Sequence, residues 1–193
     1  MFYAINFRRH KKNLSFIIFL VVFLATCFFA VNFMFPLEHF DLIKKYAQKY
    51  ELDPALICSI IHTESKFKVN AVSNKDARGL MQIRQQTADW AAQEINILDY
   101  KYEKIFEPDI NIQIGCWYIN KLQKQFGNLD CAICAYNAGS GNITKWLANN
   151  NYSHDGKTLF YIPFKETQNY LRRVKRNQKV YKFLISTMNF INL

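Results

Sequence analysis

An uninterrupted apolar segment, Leu14 to Phe35, limits most strongly what this chain can fold into. Its 22 residues, LSFIIFLVVFLATCFFAVNFMF, contain no charged side chain, and Asn32 is the only strongly polar one. As a helix the segment would be about 33 Å long, which is enough to cross the hydrocarbon layer of a bilayer. We therefore predict one transmembrane helix at residues 14–35.

The charges that flank this segment predict its orientation. Glu38 and Asp41 follow it, and four basic residues precede it: Arg8, Arg9, Lys11 and Lys12. By the positive-inside rule, residues 1–13 form a basic cytoplasmic tail and the chain beyond the helix is extracytoplasmic. We expect a single-pass protein of the cell membrane.

Two other interpretations of the apolar segment remain open. It could be a cleaved signal peptide, or a lipoprotein signal in which LATC, residues 24–27, is lipidated at Cys27. The run is long for a signal peptide, it has no clear small-x-small cleavage site, and it continues past Cys27. These features favour an uncleaved signal anchor.

The net charge points to anionic partners. The whole chain carries a formal charge of +10, of which four positive charges belong to the tail. A basic exported domain is attracted to wall polymers or lipid headgroups. Nucleic acid is the other usual partner of a basic chain, but an exported domain rarely meets it, so we expect no nucleic acid.

Cysteine spacing raises the question of a metal site. CAIC, residues 131–134, has the Cys-x-x-Cys spacing of some metal and redox centres, but no second Cys or His pair completes a zinc set. Cys131 and Cys134 are one helical turn apart among small apolar residues, which is typical of buried side chains. We expect no metal and no cofactor.

Hydrophobic periodicity after the apolar segment predicts short helices joined by loops, with at most a small β element. A polar loop is predicted at 66–78. The predicted helices are 40–50, a helix from Pro54 with Asp53 as its N-cap, 85–95, 109–128, a short helix from Asp130 ended by a left-handed Gly139, 142–148, and 165–188.

One acidic residue, Glu64, stands where the apolar pattern calls for a buried side chain. It shares a helix face with three isoleucines, Ile57, Ile60 and Ile61. A carboxyl group held against apolar groups loses hydration of its charged form, so its pKa rises and it becomes a proton donor near neutral pH. A structural ion pair with Arg78 or Lys66 is the alternative.

Three other segments carry side chains suited to a ligand cleft. ARGLMQI offers a glycine and an amide, AYNAGSG presents Tyr136 and Asn137 beside a glycine-rich turn, and Glu166 and Tyr170 share a face of the last helix. Each has a structural alternative: Asn137 as a cap, Tyr136 as core, and Glu166 as a partner of the helix dipole.

Four motifs occur in a specific order: ES at 64–65, GLMQI at 79–83, AYNAG at 135–139 and IPFKETQNY at 162–170. From about Phe40 to Tyr181 the chain resembles the soluble-lytic-transglycosylase-type catalytic domain. The resemblance implies a mainly α, goose-lysozyme-like domain at residues 37–193. It also implies cleavage of the bond between N-acetylmuramic acid and N-acetylglucosamine in peptidoglycan glycan strands.

The resemblance also assigns roles to individual residues. Glu64 would be the general acid and then the base, Tyr170 would form a hydrogen bond near it, Gly79 would permit close backbone approach, and Glu166 would support the cleft wall. The sugar cleft would be lined by Ser65, Met81, Gln82, Tyr136 and Asn137. Departures from the usual pattern occur at Cys58, Arg84, Cys131 and Cys134.

A single acid requires help from the substrate, because most glycosidases use two carboxylates. The family implies that the acetamido group assists and that Glu64 then deprotonates the sugar's own C6 hydroxyl, leaving a 1,6-anhydro end. The alternatives are a lysozyme-like hydrolase with Asp76 as second carboxylate and a non-enzymatic wall-binding module. Wall remodelling, or passage of a secretion apparatus through the wall, would be the biological setting.

Overall fold

The computed structural model describes the backbone of residues 2–191, and the side chains of Leu14 and residues 16–188. Contacts divide the chain into two units, Met1–Leu37 and Glu38–Leu193. The basic side chains at positions 8, 9, 11 and 12 lie outside the described residues. The orientation across a membrane therefore stays a prediction.

The first unit contains one long helix, α1, Phe2–Met34. Its stretch Phe16–Met34 is long and apolar enough to cross a membrane, and none of that stretch is buried inside the chain. Two polar side chains in the stretch bond to their own helix: Thr26 donates to the Phe23 carbonyl at 2.7 Å, and Asn32 donates to the Phe28 carbonyl at 2.8 Å. In a bilayer, where water is absent, such bonds would lower the cost of placing these polar groups in hydrocarbon.

The described residues of the second unit form helices that are joined by loops. The unit also contains a short 3-10 helix, Tyr102–Phe106. The α-helices are α2, Phe40–Lys49; α3, Pro54–Glu64; α4, Gln85–Glu94; α5, Pro108–Phe126; α6, Leu129–Ala138; α7, Ser140–Leu147; and α8, Lys165–Ile191.

Two predicted helices are confirmed in detail. Asp53 caps α3 by accepting a hydrogen bond from the Ala55 backbone N–H at 2.9 Å, and Pro54 occupies the first helical position. The segment that forms α5 alternates like a strand at its start but is helical, and it ends at Gly127 with φ 63°. Glycine adopts this left-handed conformation without the steric cost that a Cβ would bring.

Three details differ from the prediction. Asn128, and not Asp130, is the N-cap of α6, because its side chain accepts a hydrogen bond from the Cys131 backbone N–H at 3.0 Å. Gly139 has φ 86° and ψ 143°, so its backbone is not left-handed helical, and α7 starts directly after it. The 3-10 helix was not predicted, because five residues are too few to show a period.

Helix α3 forms the centre of the second unit. All residues from Ala55 to Ile61 are buried, and the helix packs against α2 and α8. The interpretation of Cys131 and Cys134 as buried small side chains is confirmed, since both are buried free thiols, and Cys58 and Cys116 are buried free thiols as well. Burial raises the pKa of the Cys58 thiol to about 12. Glu64 ends α3, shortly after this buried stretch.

The loop after α3 is held by long-range hydrogen bonds. Within the described residues its extended structure is limited to isolated antiparallel bridges, Val72 with Arg78 and Arg78 with Ile83. The Tyr102 hydroxyl lies 2.7 Å from the Asp76 carbonyl and 3.0 Å from the Ile83 carbonyl. These contacts fix the loop as one wall of a cleft.

Candidate active site

A cleft of about 770 Å³ opens beside the end of α3. This volume is within the range of small-ligand sites. The lining residues come from α3, the loop after it, the start of α4, α5, the end of α6 and the start of α8: Glu64, Ser73 to Ala77, Gln82 to Thr87, Tyr118, Tyr136 to Gly139, and Glu166.

Glu64 combines burial with access to this cleft. Its side chain is half-buried, and it follows the buried isoleucine face of α3. Burial raises the pKa of the Glu64 carboxyl to about 7, and the negative charge of Glu166 adds to this effect. A hydrogen bond from Tyr170 and the positive charge of Arg173 act in the opposite direction. A carboxyl group with this pKa is partly protonated at neutral pH and can exchange a proton in either direction.

Tyr170 holds the Glu64 carboxyl in place. Its hydroxyl donates to Glu64 Oε1 at 2.7 Å, and the ring is buried in α8. Burial and the nearby carboxyl raise the pKa of the Tyr170 phenol well above its usual value, so the hydroxyl keeps its proton. The sequence prediction that this hydroxyl reaches the acid agrees with the observed contact.

The Tyr170→Phe variant should shift the pH profile of any reaction that needs protonated Glu64. The hydroxyl stabilises the carboxylate, so its loss raises the pKa of Glu64 further. The alkaline limb of the profile, which is the fall in rate as Glu64 loses its proton, therefore moves to higher pH. We expect turnover to fall about tenfold. Initial rates between pH 5 and pH 9 measure both effects, and Tyr118→Phe, in the same cleft, should leave the limb in place. A limb that does not move would contradict the assigned contact.

The ion pairs considered from the sequence do not form among the described side chains. Arg78 instead donates from Nε to Asp76 Oδ1 at 2.8 Å, and its guanidinium lies 4.4 Å from the centre of the Tyr102 ring. Lys66 is exposed. The Glu64 carboxyl is therefore available to a ligand in the cleft.

The structure brings several of the candidate residues together around Glu64. Gln82, Tyr136, Asn137 and Glu166 line the same cleft. The Tyr136 hydroxyl donates to the Met81 carbonyl at 2.8 Å, which fixes the ring against the loop wall. The Gln82 amide nitrogen donates to the carbonyls of Ala71 and Gly79, so that side chain also shapes the loop.

Three candidates lie behind the wall instead of on its surface. Ser65 is buried and donates to the Leu80 carbonyl at 2.8 Å, and Met81 is fully buried against Gly115. Gly79 is buried and has φ 77°, and the side chain that lies close to its backbone is that of Asn111. We expected Ser65 and Met81 to line the cleft. Neighbouring residues of a helix or tight turn point in different directions, which buries Ser65 and Met81 beside Glu64 and Gln82.

Two residues of this region were not found from the sequence. Buried Asn111 accepts from the Met81 backbone N–H at 2.8 Å and donates to the carbonyls of Ile105 and Arg78. It joins the loop to α5. Tyr118 lines the cleft and packs against Tyr136 with 5.4 Å between ring centres. The sequence does contain a signal that could identify Asn111, namely a polar residue among the apolar residues of the predicted helix 109–128.

The site offers no metal-binding cluster in the described part of the chain. Groups of three or more His, Cys, Asp or Glu side chains close enough to share an ion are absent from that part. Carboxyl, phenol and amide side chains are among those that line the cleft, including Glu64, Tyr136 and Asn137.

A family model described as the transglycosylase SLT domain matches residues 41–159. The chain belongs to this family. The resemblance indicated by the four motifs is thereby confirmed, and the mainly helical fold predicted for it is confirmed by solved structures. The inactive mutant of lytic transglycosylase Slt from Pseudomonas aeruginosa has a TM-score of 0.72 at 28% identity, covering 81% of this chain and 26% of that one.

Other relatives show the same likeness. The 70 kDa soluble lytic transglycosylase of Escherichia coli has a TM-score of 0.71 at 29% identity, covering 80% of this chain and 26% of that one. The soluble lytic murein transglycosylase of Salmonella typhimurium is 34% identical over 77% of this chain and 23% of its own length. Membrane-bound lytic murein transglycosylase C of Edwardsiella ictaluri is 28% identical over 75% of this chain and 46% of its own length. The chain thus spans about a quarter of the soluble relatives.

Proposed function

We propose that this protein is a lytic murein transglycosylase that cleaves the β-1,4 bond between N-acetylmuramic acid and N-acetylglucosamine in peptidoglycan. The observation that carries the proposal is the half-buried Glu64, with its pKa raised to about 7, facing a cleft large enough for sugar rings. Membership of the transglycosylase SLT family supports the same reaction class.

The proposed reaction uses one carboxyl group twice. Glu64 gives its proton to the glycosidic oxygen as the bond from that oxygen to C1 of the muramoyl sugar breaks. The acetamido group of that sugar assists the oxocarbenium-like centre at C1. The C6 hydroxyl oxygen then bonds to C1, and its proton returns to the Glu64 carboxylate. The product is a 1,6-anhydromuramoyl end, and no water is consumed.

A hydrolase is the second candidate, because Asp76 lines the same cleft. Both of its carboxylate oxygens already accept hydrogen bonds from Arg78, Oδ1 from Nε at 2.8 Å and Oδ2 from Nη2 at 3.3 Å. Glu166 also lines the cleft, although it is exposed in the first turn of α8. The proposal therefore assigns the proton transfers to Glu64 alone.

The rate should fall as pH rises through about 7, the pKa to which burial raises the Glu64 carboxyl. Only the protonated form can donate to the leaving oxygen, so the alkaline limb reports the loss of that proton. Rates of muropeptide release between pH 5 and pH 9 test this. A rate that stays constant from pH 6 to pH 9 would contradict the assignment.

We further propose that α1 anchors the catalytic unit to the cell membrane, with the N-terminus in the cytoplasm. The apolar stretch Phe16–Met34 supports anchoring, and the basic residues before it support the orientation. From this position the protein would open the wall locally, for remodelling or for the passage of a secretion apparatus.

The proposal is tested by incubating the full chain, in detergent micelles, with purified peptidoglycan sacculi. Mass spectrometry of the soluble products should show muropeptides with anhydro ends. Reducing ends, one water heavier, would indicate the hydrolase. Binding to sacculi without any release would indicate the wall-binding module.

A further inference from the structure

A hydrogen bond between α6 and α8 fixes the Asn137 side chain. Asn137 lies in the last turn of α6 and lines the cleft. Thr167, in the first turn of α8, is 1% exposed, and its Oγ1 donates to Asn137 Oδ1 at 2.9 Å. The bond joins two helices that each contribute residues to the cleft.

This contact determines which end of the amide a ligand meets. A side-chain amide has an acceptor oxygen on one branch and a donor nitrogen on the other. With Thr167 donating to Oδ1, the Nδ2 branch of the amide is the one left for a ligand. In the described part of the chain Asn137 Nδ2 makes no hydrogen bond, so its N–H groups are free to donate into the cleft.

We propose that Thr167 is a positioning residue that presents the Asn137 Nδ2 as a hydrogen-bond donor to the glycan. The group that it meets is an acceptor oxygen of a sugar, either a hydroxyl or an acetamido carbonyl. This inference rests on the proposed function, because it takes peptidoglycan as the ligand.

The same helix positions the catalytic acid. Thr167 and Tyr170 are three residues apart on α8, so they lie on neighbouring parts of one helix face. Tyr170 donates to Glu64 and Thr167 donates to Asn137. Helix α8 therefore orients both a proton donor and a sugar-binding amide from one rigid element, although the two hydrogen bonds can be removed separately.

The experiment measures binding of the full chain to purified sacculi in detergent, in a Glu64→Gln background that is intended to leave the glycan intact. Thr167→Val removes the hydroxyl and keeps nearly the same shape, and it should raise the Kd about fivefold to tenfold. Thr167→Ser keeps the hydroxyl and should bind within about twofold of the background protein. A Thr167→Val protein with unchanged Kd would overturn the inference.

A second measurement separates positioning from a general structural role. In an Asn137→Ala background, Thr167→Val should cause no further loss of binding, because the amide that it orients is absent. An equal loss in both backgrounds would also overturn the inference.

In the otherwise unmodified chain, Thr167→Val should leave the alkaline limb set by Glu64 in place. A chain that binds sacculi but releases no muropeptides would refute the proposed reaction and leave the binding comparison intact.

Discussion

Replacing Glu64 with glutamine should lower the rate of muropeptide release about 1,000-fold to 10,000-fold. Glutamine keeps the shape of the side chain and can still accept the hydrogen bond from Tyr170, but it has no proton to give. The two proton transfers of the proposed reaction both depend on this residue. Release is measured as soluble muropeptides from purified sacculi, with the full chain in detergent micelles.

The matched control is Glu166→Gln, which removes a carboxylate from the same cleft. Because Glu166 is exposed and makes no hydrogen bond to Glu64 in the described residues, its loss should change the rate less than about tenfold. Full activity in Glu64→Gln, or equal losses in the two variants, would refute the assignment of Glu64 as the acid.

The same substitution should stabilise the fold at alkaline pH. The pKa of Glu64 is raised from 4.5 to about 7, so the contribution of its protonated form to stability is complete below about pH 4.5 and is lost as pH rises through about 7. Above that range Glu64→Gln avoids a partly buried negative charge. We expect this to raise the free energy of unfolding by at most about 3 kcal/mol, and by less where water in the cleft screens the charge. Urea unfolding at pH 4 and pH 8 measures the difference, which should be much larger at pH 8.

The Gly79→Ala variant should lower the free energy of unfolding by about 4 kcal/mol. A Cβ at this position would collide with the Asn111 amide and lie 2.9 Å from the Ile105 carbonyl, and the backbone has φ 77°. A left-handed alanine costs about 1–2 kcal/mol, and the collision and the displaced hydrogen bonds of Asn111 add about 1–3 kcal/mol each.

Gly127→Ala separates the two causes. Gly127 has a similar φ of 63°, but nothing lies within 4 Å of a Cβ built there. Its replacement should cost only the free energy of a left-handed alanine, about 1–2 kcal/mol. Urea unfolding of both variants gives the comparison. Equal losses would show that the contact with Asn111 does not constrain the loop.

The sequence predicts the parts of the site that depend on local periodicity. The spacing of Glu64 from Ile57, Ile60 and Ile61 places it at the end of a buried face, and α3 has this arrangement. The spacing of Glu166 and Tyr170 likewise predicts that one helix carries both, and α8 does so. These predictions hold because a helix fixes direction through residue number alone.

Contacts between distant segments could not be predicted in the same way. The Asn111 side chain reaches the Met81 backbone across a separation of 30 residues, and the Thr167 hydroxyl reaches Asn137 across a separation of 30 residues as well. Nothing in the spacing of a single helix specifies such a pair. Ser65 shows that proximity in a motif does not fix the direction of a side chain. Ser65 follows Glu64 in the motif and is therefore predicted to line the cleft, but its side chain leaves the helix end in another direction and is buried.

One carboxyl group suffices in the proposed reaction because the glycan supplies the second reacting group. Digestion of sacculi by the full chain in water labelled with heavy oxygen tests this, because hydrolysis places solvent oxygen on C1 of each new end and attack by the C6 hydroxyl does not. We expect new anhydro ends that contain no label. Reducing ends that carry the heavy isotope would contradict the proposed reaction.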